Sequence, residues 1–175
     1  MVNTETERLF LRPIEDSDWR AVQKIWDDQT RSEYAVYDNP KDLSDEAVCG
    51  MVKRWAAHQS REHIFLVACR KDGEVIGFIN FHLHDDRHEI SYGFLKEAQG
   101  QGYAREAVSA AIRSLGGEGI RRFSAGTGLK NTPSVNLLEA VGFRRIGTEK
   151  VSFYNDANGK AIWFDGGIFE LTLQQ

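Results

Sequence analysis

The residues with the clearest chemical signature lie at 99–106, where the chain reads QGQGYARE. Glycine allows the main chain to approach a bulky ligand closely, and the first N–H groups of a helix form an anion-binding site. A pyrophosphate fits such a turn, so the pattern predicts a phosphate-binding loop at the start of a helix. A tight turn without a ligand is the alternative interpretation of the same two glycines.

Two other phosphate-binding motifs do not fit this stretch. No Lys-Ser/Thr pair follows the glycines, so the stretch is not a P-loop. The runs that precede it have the pattern of hairpins and do not open a βαβ unit, so it is not the dinucleotide-binding fingerprint.

The elements that position this turn follow from the residues on either side of it. Residues 63–96 contain three strand-like runs separated by the turn-forming clusters at 71–73 and 85–87, which predicts an antiparallel meander. After the glycines, apolar residues recur at helical spacing, which predicts a helix with one face packed on a sheet and an end at Gly116-Gly117. The apolar positions are Ala104, Ala107, Val108, Ala111, Ile112 and Leu115.

Caps, breakers and periodicity give the elements before the meander. We predict a strand at Arg8–Arg12 that ends at Pro13, a helix that begins after Asp16 or Ser17, and a second helix after Ser44. The intervening stretch at 31–42 is predicted to be a loop.

The same signals give the elements after the long helix. We predict a strand at Arg121–Thr127, a short helix from Pro133 to Val141 that Gly142 stops, and two final strands. These strands lie near 143–153 and 161–173, around a loop at 155–160. The predicted order is strand, helix, helix, three strands, helix, strand, helix, two strands.

Composition limits the class of protein. The length and a hydrophobic content of 41% indicate one globular domain over residues 1–175. Lys and Arg number 22 against 26 Asp and Glu, without a long single-sign run, so no nucleic-acid partner is expected. The isolated Cys49 and Cys69 fit a reduced intracellular protein. No signal peptide or membrane-spanning apolar run is found, so we expect a cytoplasmic location and no membrane partner.

Several segments together resemble a known family. Gln99-x-x-Gly102-x-Ala104 matches the Q/R-x-x-G-x-G/A signature of the GCN5-related N-acetyltransferases (GNAT), and YAREA at 103–107 resembles the GYATEA run of their RimJ/RimL-like branch. The segments NTPS at 131–134, LE at 138–139 and VGF at 141–143 are similar to that branch's N-x-x-S…LEK-x-GF segment. The opening TERLFLRPIEDSDW is similar as well, so the resemblance covers nearly the whole chain.

The resemblance implies a fold and an activity. The fold is α/β (α+β), with a mixed, mostly antiparallel sheet of about seven strands, about four helices, and splayed fourth and fifth strands that admit acetyl-coenzyme A. The implied activity is direct acetyl transfer from acetyl-CoA to a primary amine in a ternary complex, with a protein N-terminal amine favoured. A small-molecule amine such as an antibiotic or polyamine is the alternative, as is a non-catalytic acyl-CoA sensor. The state is either a monomer or a homodimer.

The resemblance also assigns cofactor-binding residues. Backbone amides of the loop are expected to hold the pyrophosphate, and the strand before it is expected to pair with pantetheine through free main-chain groups, mainly at Phe94 and Lys96. An ordinary, fully paired core strand is the alternative. The predicted set is Phe94, Leu95, Lys96, Gln99, Gly100, Gln101, Gly102, Tyr103, Ala104, Asn131 and Ser134.

Two residues are predicted to be catalytic. Ser134 matches the branch's serine near the thioester sulfur, where its hydroxyl would give a proton to the departing thiolate. Many relatives carry a tyrosine as this acid where this chain has Leu138. Asn131 and Ser134 also make sense as helix-capping residues. Glu89, at the start of the splayed strand on the side that alternates with Tyr92, is the candidate base, although an exposed structural glutamate and deprotonation by solvent are alternatives.

The acceptor side is less defined by sequence. Tyr34, Tyr37, Trp55 and Asp165 are the candidate acceptor-binding residues, with simple packing as the alternative for the three aromatic ones. His82, His84 and His88 are interpreted as surface histidines at a hairpin end, because no carboxylate or thiolate has ligand spacing with them, and no metal site is predicted. Neither cysteine lies in the motifs, which favours transfer without a covalent enzyme intermediate.

Overall fold

The computed structural model describes residues 2–174. In chain order the elements are β1 (Thr4–Glu5), β2 (Leu9–Pro13), α1 (Trp19–Thr30), α2 (Asp45–Ala57), β3 (His63–Arg70), β4 (Val75–His84), β5 (Arg87–Phe94), α3 (Tyr103–Gly117), β6 (Arg122–Gly128), α4 (Thr132–Val141), β7 (Arg144–Asn155) and β8 (Ala161–Thr172). The predicted order is confirmed. The sheet has eight strands instead of about seven, because the two-residue β1 pairs with β2.

The strands form a mixed sheet in the order β1-β2-β3-β4-β5-β6-β8-β7. Every neighbouring pair is antiparallel except β5 and β6, which are parallel. The β4–β5 ladder runs along the whole of β5, from His84↔Arg87 to Gly77↔Phe94. In contrast, β5 and β6 pair only at His88↔Phe123 and Glu89↔Ser124 and then separate. The predicted splay of these two strands is therefore present.

The helices cover both faces of the sheet near this separation. Gly93 of β5 faces α1, since a methyl group at Gly93 would lie 2.8 Å from a side-chain carbon of Ile25. Tyr92, the preceding residue, contacts Ser134 of α4. Neighbouring strand residues point to opposite faces, so α1 and α4 lie on opposite sides of β5.

The apolar spacing that predicts α3 is also the face that it buries. Ala107, Val108, Ala111 and Leu115 have no exposed surface, and they pack into a core formed largely by β2 to β6 and α1. Each buried methylene contributes roughly 1 kcal/mol to the free energy of unfolding. Since these four side chains are all buried, their packing holds α3 firmly against the sheet.

Local signals fix the other helix ends. The Ser44 hydroxyl caps α2 by accepting a hydrogen bond from the Ala47 N–H at 3.3 Å. The Asn131 side chain caps α4 by accepting from the Ser134 N–H at 3.4 Å, and Gly142 ends α4 in the left-handed conformation, with φ of 110°. The predicted loop at 31–42 contains one short 3₁₀ turn, Ala35–Tyr37. Within residues 2–174, no helix is long and apolar enough to cross a membrane.

Candidate active site

The glycine loop has the geometry of an anion cradle. Gly100 and Gly102 both adopt the left-handed conformation, with φ of 72° and 80°. Gly102 is the N-cap of α3 and supplies no capping side chain, so the first N–H groups of this 15-residue helix point into the loop. Their partial positive charge and the open space beside Gly100 suit a phosphate group. The residues present therefore fit the pyrophosphate that the sequence predicts for 99–104.

An arginine that directly precedes β2 holds this loop in place. Arg8 donates from Nε to the Glu106 carboxylate at 2.6 Å and from Nη1 to the Gln101 carbonyl at 2.8 Å. Its guanidinium also lies 4.3 Å from the centre of the Tyr103 ring. Glu106 accepts further hydrogen bonds from the Thr6 hydroxyl and the Arg8 N–H. Despite partial burial, these donors hold the pKa of Glu106 below its usual value.

The open edge of β5 leads away from the loop. The Leu95 N–H donates to the Ile76 carbonyl on the β4 side. Main-chain groups of successive strand residues face opposite edges, so the N–H groups of Phe94 and Tyr92 face the β6 side. The β6 pairing has already ended there, at Glu89. Phe94 therefore has the free N–H that its predicted main-chain role requires, whereas its side chain is buried.

The structure places Leu95 and Lys96 differently from the prediction. The Leu95 N–H is used within the sheet, and the Lys96 N–H donates to the Asp28 carboxylate at 2.8 Å. The chain has left the strand at this point and entered a short 3₁₀ turn, Lys96–Ala98. Neither residue offers a free N–H to a ligand. Gln99 contributes through its side chain, which donates to the Phe94 carbonyl at 3.2 Å.

Ser134, the predicted catalytic hydroxyl, has an unexpected partner. Its Oγ is 2.9 Å from the Tyr92 phenol oxygen. Tyr92 is in the part of β5 that no longer pairs with β6, and Ser134 is in the first turn of α4, so the contact links β5 to α4 beside the opening. Burial raises the pKa of Tyr92 to about 12, although the Ser134 hydrogen bond opposes this shift. Tyr92 therefore keeps its proton at any physiological pH.

Glu89 lies on the other face of β5 from this pair. Its carboxylate is half-exposed and lies 3.3 Å from His84 Nε2. Glu89 is the last residue of β5 in register with β6, opposite Ser124. The two predicted catalytic residues thus flank the opening, with Ser134 on the α4 face and Glu89 on the α1 face.

A cavity of about 360 Å³ lies at the opening, on the face that carries Glu89. The loop between α1 and α2, the diverging ends of β5 and β6, and the β7–β8 hairpin surround it. The cavity lining includes three carboxylate residues, Asp38, Glu89 and Glu149, and no lysine or arginine. Its apolar wall consists of three aromatic rings in contact. The centre of the Phe164 ring lies 5.1 Å from the centre of the Tyr37 ring and 5.7 Å from that of Phe153.

Of the four predicted acceptor-binding residues, the structure brings only Tyr37 to this cavity. Trp55 stacks on Phe65 at 5.3 Å and packs against the core. Tyr34 lies in the turn before Tyr37 without lining the cavity. Asp165 forms an ion pair with Lys150 at 2.7 Å. Its neighbours Phe164 and Gly166 line the cavity, and strand alternation turns Asp165 away.

The histidines and cysteines do not form a reactive cluster among the described residues. His88 is buried, not at the surface as predicted, and its Nε2 lies 2.8 Å from the Arg61 carbonyl. No group of three or more metal-ligating side chains occurs within 2–174. Cys49 and Cys69 are free thiols in α2 and β3, and neither lines the cavity.

Three kinds of functional residue are missing from the sequence-based prediction. Arg8 and Glu106 lie inside two of the segments that carry the family resemblance, the opening TERLFLRPIEDSDW and YAREA, which was a usable signal. Tyr92 precedes a predicted cofactor-binding strand end, but nothing in its spacing points to Ser134. The cavity residues Glu149 and Phe153 belong to a long strand without motif, so only the fold brings them to the site.

Comparison with known proteins identifies the class. The family model described as the acetyltransferase (GNAT) domain matches residues 8–144. The uncharacterized N-acetyltransferase p20 of Bacillus licheniformis is 28% identical over 174 residues, which cover 97% of this chain and 96% of that protein. These matches define an acetyltransferase.

Solved structures agree on the fold. RimL, described as a ribosomal L7/L12 alpha-N-protein acetyltransferase, superposes with a TM-score of 0.82 at 19% identity, covering 99% of this chain and 94% of RimL. YncA of Salmonella typhimurium, solved with its cofactor acetyl-CoA, gives 0.74 at 20% identity and 95% coverage of both chains. The chain belongs to the GNAT family of acetyl-CoA-dependent acetyltransferases.

Proposed function

We propose that this chain, acting as one catalytic domain over residues 1–175, transfers the acetyl group of acetyl-CoA to a primary amine by direct attack. The glycine loop would hold the pyrophosphate, and the free Phe94 N–H would donate a hydrogen bond to the pantetheine arm. The arm runs from the start of α3 back along β5, so its reactive end lies at the opening between Tyr92 and Glu89. Acetyl-CoA supplies the activated acyl group at that point.

The cavity beside Glu89 is the observation that carries the choice of acceptor. Lys41 pairs with Asp38, so Glu89 and Glu149 are the lining carboxylates that favour a cation, and the ring wall of Tyr37, Phe153 and Phe164 favours an apolar group beside it. An ammonium group entering this cavity must lose a proton before it can attack, and Glu89 would accept that proton. An α-amine, with a pKa near 7.7–8.0, needs less assistance than an alkylamine with a pKa near 10.

The favoured acceptor is therefore a protein N-terminal amine, as in a RimJ/RimL-like enzyme. A protein N-terminus combines a weakly basic amine with side chains that can pack against the apolar wall. The cavity also opens to the surface between two loops. RimL, which acts on such an amine, shares the fold. A cytoplasmic location suits this substrate. The monomeric or homodimeric state remains a prediction.

The test is thiol release from acetyl-CoA with a matched panel of acceptors. The panel contains short peptides with free and with blocked N-termini, each with an apolar or an acidic first residue, together with a diamine and an aminoglycoside. We expect turnover with the free apolar peptide and none with the blocked one. Turnover confined to the small amines would exclude the N-terminal acceptor, and acetyl-CoA binding without any turnover would indicate a sensor.

A further inference from the structure

The contact between Tyr92 and Ser134 joins β5 to the first turn of α4, in the part of β5 that has separated from β6, so it lies beside the proposed path of the pantetheine arm. Both residues are partly buried, and their oxygens are 2.9 Å apart. A lone serine hydroxyl rotates freely and can point its hydrogen at any nearby acceptor. A serine whose oxygen already accepts a hydrogen bond has fewer favourable orientations for its own hydrogen.

We propose that Tyr92 is a positioning residue for the acetyl transfer: its phenol donates to Ser134 Oγ and thereby directs the Ser134 hydrogen to the sulfur of the departing coenzyme A thiolate. This inference rests on the proposed function. Tyr92 acts through Ser134, and its hydroxyl faces the α4 side of β5, away from the acceptor cavity.

The step balances without a proton leaving either hydroxyl. The amine nitrogen forms a bond to the acetyl carbon, the carbon–sulfur bond breaks, and its electron pair stays on sulfur. The amine proton goes to Glu89 or to water. The two linked hydroxyls stabilise the thiolate by hydrogen bonding. They keep their protons, because a thiol with a pKa near 8.5 is a stronger acid than the phenol of Tyr92.

Two further features favour a negative charge at this place. Ser134 occupies the first turn of α4, where the helix dipole is positive. Hydrogen bonds within a chain of donors also strengthen one another in a site of low dielectric. The tyrosine is therefore expected to matter for the charged product and much less for the neutral thioester.

The experiment compares the binding of coenzyme A with that of acetyl-CoA by calorimetry between pH 7 and pH 9.5. In the wild-type protein, coenzyme A affinity should rise as its thiol ionises. Tyr92→Phe should weaken coenzyme A binding at pH 9 about fivefold to tenfold, as expected for a lost hydrogen bond to a charged group, with acetyl-CoA binding changed less than twofold. Turnover should fall about tenfold with an unchanged KM for acetyl-CoA.

Matched variants separate this role from a structural one. Ser134→Ala should reproduce the loss of thiolate preference, and the double variant should lose no more than either single variant. Tyr154→Phe, at a partly buried tyrosine of β7 outside the cavity lining, should change neither affinity. A lower thermal midpoint in Tyr92→Phe with an intact pH dependence of coenzyme A binding would overturn the proposal.

The result also distinguishes the inference from the function on which it rests. If the wild-type protein binds acetyl-CoA and consumes it, but Tyr92→Phe and Ser134→Ala bind coenzyme A as it does at every pH, only the positioning role fails. If the wild-type protein binds neither coenzyme A nor acetyl-CoA, the proposed function and the positioning role fail together.

Discussion

Arg8 and Glu106, 98 residues apart in the chain, form a two-point ion pair in which Nε and Nη2 of the arginine each lie 2.6 Å from the same carboxylate oxygen. The pair joins the N-terminal strands to the first turn of α3. Since Arg8 also donates to the Gln101 carbonyl, the position of the glycine loop depends on this arginine.

Replacing this arginine should therefore affect both stability and cofactor binding. Arg8→Met removes three contacts to the loop but leaves Glu106 with the Thr6 hydroxyl and a main-chain N–H. We expect a loss of about 1–2 kcal/mol in the free energy of unfolding, measured by urea denaturation, and about fivefold weaker coenzyme A binding. Arg31→Met removes an exposed helical ion pair with Asp27 and should leave both quantities unchanged. Equal effects of the two variants would contradict the prediction.

The left-handed glycine at the cap of α3 gives a second prediction. Gly102→Ala should cost roughly 1 kcal/mol of backbone strain and should weaken coenzyme A binding at least tenfold, because relief of that strain moves the amides that face the phosphate. Gly102→Glu, which adds a negative charge at the cradle, should abolish binding.

A second glycine in the left-handed conformation provides a matched control. Gly73, in the turn between β3 and β4, has φ of 94° and open space around it, so Gly73→Ala carries the same strain without a role in the loop. Calorimetry with coenzyme A should show normal affinity for this variant. Unchanged affinity in Gly102→Glu would remove the phosphate assignment.

Glu89→Gln tests the base. If Glu89 accepts the amine proton, turnover at neutral pH should fall about 10²-fold or more, and it should recover partly at high pH, where the amine is already neutral. The measurement is the pH dependence of kcat. Glu139→Gln, at an exposed position of α4, is the control. A pH profile of Glu89→Gln that parallels the wild type would show that solvent takes the proton.

The histidines at the hairpin end predict a pH dependence of stability. Burial lowers the pKa of His82, and the neighbouring His63, whose Nδ1 is 3.1 Å from His82 Nδ1, lowers it further. Between this lowered value and about 6.5 the unfolded chain binds more protons than the folded one, so the free energy of unfolding rises with pH.

The contribution of His82 is thus present above about pH 6.5 and is lost as the pH falls below that value. His82→Gln should reduce the difference between the thermal midpoints at pH 5.5 and pH 7.5. His58→Gln, at the exposed end of α2, should leave that difference as it is. A difference that stays the same in His82→Gln would show that the imidazole does not control this pH dependence.

Periodicity predicts the elements well because each helix buries one face. The apolar positions of α3, from Ala107 to Leu115, are at most 3% exposed, and Gly102 and Gly142 mark helix ends through conformations that other residues rarely adopt. The Ser44 and Asn131 caps are likewise local. The short β1 has no such signal, because two residues carry no periodicity.

The candidate site is only partly predictable, because its parts meet through the sheet. Ser134 follows from a motif, but its partner Tyr92 lies 42 residues earlier on another element. The expectation for Asp165 does not account for strand alternation, which turns its carboxylate to Lys150. Lys96 has the right position in the resemblance, but the strand ends before it, and Asp28 takes its N–H.

The short seam between β5 and β6 has a mechanical consequence. Among the described residues, main-chain pairing joins strands β1–β5 to strands β6–β8 at two residue pairs only, so the sheet consists of two plates with a narrow hinge at Glu89 and Ser124. A ligand lodged between the plates would stiffen the molecule across its weakest line, and amide hydrogens beyond the hinge would then exchange more slowly with deuterated water. Rigidity in this protein is in that sense shared between the chain and its substrate.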